Sequence, residues 1–196
     1  MSKGLIAVIA ILLILGFVGC GKYNGLVSKD ETVKESWAKV ESQYQRRADL
    51  IPNLVNTVKG AADFEKSTLT AVIEARAKAT QTTINADQLT PENIEKFQGA
   101  QDQLGGALSR LLVSVERYPE LKANANFLQL QGQLEGIEND VKTSRNAFNE
   151  AVNTYNVKVR SFPGNIIAGI LGFHAKEGFK AEAGAEKAPE VNFETK

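Results

Sequence analysis

Histidine, cysteine and methionine each occur only once in this chain of 196 residues. A metal centre built from His and Cys is therefore excluded within one chain, and a Ser-His nucleophile pair would rest on His174 alone. A single cysteine excludes an intrachain disulfide. Charge of one sign is also missing. The 23 basic and 23 acidic residues cancel and are interspersed without a basic block, which argues against nucleic acid as a main partner. No phosphate-binding glycine loop occurs: GILGF after Pro163 has no following Lys-Ser or Lys-Thr. Carboxylate pairs exist, but among 23 acidic residues they mark no acid-base site. Nothing in the chain reads as a catalytic constellation, a metal site or a cofactor site.

What is present is apolar patterning. At 43% hydrophobic and 23% charged residues, the chain has the composition of a folded protein, and its length suits one domain with a core. Leu5 to Gly19, LIAVIAILLILGFVG, carries no charge and is apolar all round, so it is expected to enter a membrane. Three readings compete for residues 1–21. The first is a retained single-pass anchor helix; from Gly4 to Gly21 it approaches the lower limit of about 17 residues for spanning hydrocarbon. The second is a lipoprotein signal, because Phe17-Val18-Gly19-Cys20 resembles a bacterial lipobox, with Phe17 in place of the usual leucine. Cys20 would then be the lipidated residue. The third is a cleaved secretory signal. Lys22, Lys29 and Lys34 follow the segment and only Lys3 precedes it, which favours a cytoplasmic body if the helix is retained.

Residues 22–173 read as a helical bundle. Val33, Trp37, Val40, Tyr44, Ala48, Ile51, Leu54, Val55 and Val58 follow the three-and-four spacing of a helix that buries one face. Ser28 and Glu31 fit a capping box at its start and Gly60 a stop at its end. Pro52 lies inside, yet the apolar phase carries through it, so one continuous helix with a kink is expected. Asp63 is positioned to cap a second helix through Leu69, Val72 and Ala79, which fades over Thr80–Asn85 into the longest loop, TTINADQLT. Thr90-Pro91 is a strong start signal for a third, with Ile94, Phe97, Leu104, Leu108 and Leu111 on one side. Gly99, Gly105 and Gly106 weaken it, either by simple tolerance or to admit a close neighbour. Tyr118-Pro119 should end it and open a fourth helix of about 60 Å that runs to Phe162, where Pro163-Gly164 breaks it. The short apolar run NIIAGILGF then either covers the open end of the bundle or rests on a membrane surface. Residues 174–196 are expected to be mobile. No strand pattern occurs. The fold class is all-α: an antiparallel four-helix bundle with long first and fourth helices, behind the N-terminal membrane segment.

Three polar groups stand out on this frame. Arg46, Arg47 and Asp49 form the densest charge cluster, beside Pro52; they read as an anion-recognition patch or as arginines satisfied by Glu41 and Asp49. Glu138 and Arg145 lie on or beside the seam of the fourth helix, where charge needs a partner; Arg47, Glu65 and Arg76 are the candidates. Asn139, Asn146, Asn149, Asn153 and Asn156 make a polar stripe along the same helix. Asparagine is a poor helix former, so the stripe points to hydrogen bonding within the bundle or to a docking face for an extended partner.

Longer runs carry a resemblance. They are Tyr23-Asn24, Trp37, RRADLIPNLV from Arg46 to Val55, Val58-Lys59-Gly60, Glu65, Glu116 with Tyr118-Pro119 and Leu121-Lys122-Ala123, Glu138-Asn139, Arg145, Asn149, Tyr155-Asn156, Phe162-Pro163 and Ala188-Pro189-Glu190-Val191. Together they resemble the LemA family of bacterial membrane-associated helical proteins over nearly the whole chain. The resemblance implies a four-helix bundle behind a membrane segment and no assigned catalytic residues; Cys20 departs from members with a plain anchor. The expected function is a non-enzymatic, membrane-tethered interaction or scaffold module with a protein partner of unknown identity. A carrier or sensor of a small apolar or lipid ligand held between the helices is the alternative, and a hydrolase a distant third.

Overall fold

The computed structural model describes residues 3–60 and 64–180. Every regular element among them is helical. In chain order they are α1 (Lys3–Lys59), α2 (Lys66–Gln81), a 3₁₀ turn (Ala86–Gln88), α3 (Pro91–Val115), α4 (Pro119–Lys122), α5 (Ala125–Arg160) and α6 (Gly164–Leu171). The described residues thus form seven helical segments where the sequence suggests four in the body. Helix α1 packs mainly along α5, α2 packs along α3 and rests on α1, and α6 touches both α1 and α5. The α1–α5 pair is antiparallel: Arg47 meets Glu138, while Leu26 shares a groove with Val157.

Helix α1 departs most from expectation at its start. It does not begin at Ser28. It runs unbroken from the apolar N-terminal stretch, and the Ser28 carbonyl accepts a bond from Thr32 Oγ1 inside the helix (2.8 Å). The physical reason is cooperativity: adding a residue to an existing helix costs far less than nucleating a new one, so a local cap signal loses to an upstream helix that meets no proline. Among the described residues no helix combines the length and apolarity needed to cross a membrane.

At Pro52 the helix continues, as the apolar phase implies. Proline lacks the N–H that would bond the Ala48 carbonyl four residues back. Arg76 of α2 supplies the missing donor, its Nε lying 2.8 Å from the Ala48 oxygen. The cost of the proline is thereby offset by a neighbour.

The remaining boundaries follow local chemistry. Asp63, the expected cap of α2, lies outside the described residues; Glu65 takes the cap position with extended backbone and no side-chain cap bond. Thr90 caps α3 as its spacing predicts, accepting from the Asn93 N–H, with Pro91 in the first turn. The loop before it is pinned to the core by the buried Ile84 and Leu89, and the Ile84 carbonyl accepts from Trp37 Nε1 (3.2 Å). Tyr118-Pro119 opens only the single turn α4. The Asn124 side chain then accepts from the Asn126 and Phe127 N–H groups and starts α5 afresh. A good cap thus splits the expected fourth helix, leaving α5 about 54 Å long. Gly105 and Gly106 face only arginine side chains, and Gly99 faces open space, so no helix backbone presses on them.

Buried side chains form two clusters. One holds Leu26, Trp37, Tyr44, Phe97, Phe148, Tyr155 and Ala168, toward α6. The other holds Ile51, Val58, Leu104, Leu111, Phe127 and Leu134, toward α4. Arg47, Gln101 and Glu138 lie between them, and Arg47 and Gln101 are buried.

Candidate functional site

The polar layer between the clusters is the first candidate. Arg47 Nη1 donates to Glu138 Oε1 (2.9 Å), and Nη2 donates to the Gln101 side-chain oxygen (2.6 Å) and backbone oxygen (3.1 Å). The guanidinium also lies 4.9 Å from the Tyr44 ring centre. Its Nε is buried without a partner, which costs about 1–3 kcal/mol. Arg47 is thus held by Glu138 and Gln101, not by Glu41 or Asp49. Its remaining neighbours on that cluster point outward. Arg46 bonds Gln43 and lies 3.6 Å from Asp140, and Asp49 accepts from Gln45 (2.7 Å). Exposed pairs of this kind contribute little. Of the other two candidate partners, Glu65 pairs instead with Arg117 (3.1 Å) and Arg76 bonds the Ala48 carbonyl. The layer reads as a register device joining α1, α3 and α5.

The second candidate is the asparagine stripe. Asn139, Asn146 and Asn153 are exposed, but Asn149 and Asn156 each grip an extended segment, residues 174–180, that runs along α5. Asn156 donates to the Lys176 carbonyl (2.8 Å) and accepts from the Lys176 N–H (2.9 Å). Asn149 donates to the Phe179 carbonyl (3.2 Å) and accepts from the Phe179 N–H (2.8 Å). The spacing is a geometric match. Seven helical residues rise about 10.5 Å, and three extended residues cover about 10 Å. Each amide therefore replaces the ladder bonds of a missing neighbouring strand. Tyr155 OH donates to the His174 carbonyl (2.9 Å), and burial, with the Asp30 carboxylate nearby, pushes its pKa up to about 12, so it stays a donor.

Side chains lock the same segment. Phe179 is buried, stacks on Trp37 (5.9 Å between centres), and meets Phe148 edge-on (5.6 Å). Arg145 lies 4.6 Å over its ring, in place of an acidic partner. Lys176 pairs with Asp30 (2.8 Å), both largely buried. A Cβ added to Gly178 would sit 2.5 Å from Asn149 Oδ1, which the two bonds to Phe179 hold in place, so only glycine fits there. Gly172, at φ 76°, closes α6 in the left-handed conformation and turns the chain into this segment. Residues 181–196 lie outside the described residues.

Cys20 is exposed on α1. Gly99 and Gly106 of α3 line an open groove of about 600 Å³ against α2, rimmed by Glu74, Lys78, Asp102 and Arg110, a setting with little affinity for an apolar ligand. Among the described residues, no group of His, Cys, Asp or Glu is arranged to hold a metal ion.

The spacing of these groups, RRADLIPNLV on α1 facing Glu138 and the Asn149–Asn156 pair gripping the C-terminal segment, spans a region whose sequence matches the LemA family over residues 36–193. The chain belongs to the LemA family. Its relatives include magnetosome protein MamQ 2 of Paramagnetospirillum magneticum, 27% identical over 192 residues, with 88% of this chain and 71% of the relative covered. MamQ of Magnetospirillum gryphiswaldense is 26% identical over 201 residues, covering 91% and 74%. Protein LemA of Metamycoplasma hominis is 24% identical over 165 residues, covering 84% and 72%. In this LemA-family chain the sequence missed two features, the Arg76 bond to Ala48 and the engagement of residues 174–180. The Asn pair seven apart was the one available signal for the second.

Proposed function

We propose that this LemA-family protein is a membrane-associated, non-enzymatic interaction module, its apolar N-terminal stretch embedded in a bilayer and its helical body held at the surface. The observation that carries this reading is the continuity of α1. Lys3–Lys59 is one helix, so the apolar stretch and the buried Trp37 face share one stiff element with no linker between them. Leu13 and Phe17 stand exposed on its first part, 68% and 84%, a state that water disfavours and lipid does not. Relatives named as magnetosome proteins fit a protein that works attached to a cellular structure. The well-built polar groups are taken up internally, Arg47 by Glu138 and Gln101, and Asn149 and Asn156 by the chain's own backbone, which fits structural rather than chemical roles for them.

Alkaline carbonate extraction of membranes from expressing cells tests the attachment. The full chain should remain with the membrane pellet, and a chain lacking residues 5–19 should move to the supernatant. Complete release of the full chain would overturn the reading. Crosslinking in those membranes should then recover a defined partner; protein that comes back alone under every condition counts against the interaction role.

A further inference from the structure

Helix α6 is apolar on both faces. Gly164 and Ala168 are buried and Ile167 packs against the core, so one face does close the end of the bundle. The other face is bare: Phe162 is 81% exposed, Ile166 53%, Ile170 76% and Leu171 50%. Ile166 and Ile170 are four apart on α6 and form a stripe, with Phe162 in the turn just before the helix. A small domain rarely leaves such a stripe in water without a use.

Its position says what covers it. Phe173, just past α6, meets Tyr23 of α1 with ring centres 6.1 Å apart. Phe162 and Gly164 line a groove of about 490 Å³ together with Phe17, Gly21, Gly25, Leu26 and Val157. The bare surface thus meets, at its Phe162 end, the apolar stretch that ends at Gly19. Residues 22–25 lie about 5–9 Å beyond that end along α1, at the level of the headgroup region into which interfacial helices press an apolar face. Lys22 and Lys158 rim the same groove, where they meet the level of lipid phosphates. These lysines come from α1 and α5, so the sequence of α6 alone does not display the basic edge of an interfacial helix.

We propose that the Phe162–Leu171 stripe is a second, peripheral lipid contact, pressed into the interface of the same bilayer that holds the start of α1. The inference rests on the membrane reading above. Two contacts, one axial and one lateral, fix the tilt of the body, which a single helix leaves free.

The test uses the full chain with Cys20→Ser in phosphatidylcholine–phosphatidylglycerol vesicles, carrying an environment-sensitive dye on Leu13→Cys, Ile170→Cys or Val113→Cys. Val113 is 71% exposed on α3, near the far end of the body. The Leu13 and Ile170 dyes should both shift to the blue. Nitroxide lipids labelled high on the acyl chain should quench Ile170 most, those labelled deep should quench Leu13 most, and Val113 should lose no emission to either. If Leu13 is quenched and Ile170 behaves like Val113, the lipid contact fails while the membrane reading stands. If neither is quenched, both fall. A blue shift at Ile170 without lipid quenching means that protein covers the stripe, and it too overturns the proposal.

Discussion

Phe179→Ala should cost about 3–5 kcal/mol of unfolding free energy, the usual range for emptying a buried aromatic site. Phe179 is only 7% exposed and lies among Trp37, Phe97 and Phe148. Trp37, which stacks on it, is fixed by its bond to the Ile84 carbonyl and so resists moving into the space. The loss should reach further than a cavity. Without the ring, the bonds from Asn149 and Asn156 hold a segment with no apolar anchor, and hydrogen bonds of this kind contribute only about 1 kcal/mol each. Denaturant unfolding followed by the emission of Trp37, the chain's one tryptophan, reads the stability. Amide exchange over residues 174–180 reads the detachment. Stability unchanged within about 0.5 kcal/mol, the range of an ordinary surface substitution, would show that the segment does not belong to the core.

Glu138→Ala should cost about 2 kcal/mol. Breaking a buried ion pair costs about 3–5 kcal/mol when the surviving charge is sealed from water. Here Arg47 is 4% exposed but Glu138 is 44% exposed, so water takes over part of the carboxylate's role and the figure is discounted. Glu138→Gln should cost less, because an amide oxygen still accepts from Nη1 and only the charge is lost. The two variants, compared in the same denaturant titration, separate charge from hydrogen bonding. Equal effects would mean that the charge of Glu138 carries the whole interaction and that a neutral acceptor in its place contributes nothing.

The sequence made the helices visible because helices announce themselves locally. The stripe from Val33 to Val58 crosses Pro52 without losing phase, and Thr90-Pro91 carries its own start signal; both appear as read. Local signals misled where a second local signal competed. Ser28 looks like a cap, but the helix already under way upstream overrides it, and Asn124 proves a better start for α5 than Pro119. Long-range contacts were out of reach. That Glu138 requires a partner follows from its place near a seam, but that the partner is Arg47 follows only from the packing of α1 on α5. The asparagines of α5 were conspicuous as poor helix formers, and an extended occupant was one reading of them. That the occupant is residues 174–180 of the same chain depends on the turn at Gly172 and on Phe179 finding Trp37.

The membrane-attached body depends on α1 remaining one rigid helix between its apolar start and the bundle. A spin–spin distance reads this directly in vesicles, with nitroxides on Leu13→Cys and Lys29→Cys in the Cys20→Ser chain. Sixteen helical residues separate the two labels, so an unbroken helix gives a single narrow distribution near 24 Å. A broad or much shorter distribution, or a mature protein from which residue 13 has been removed, contradicts it.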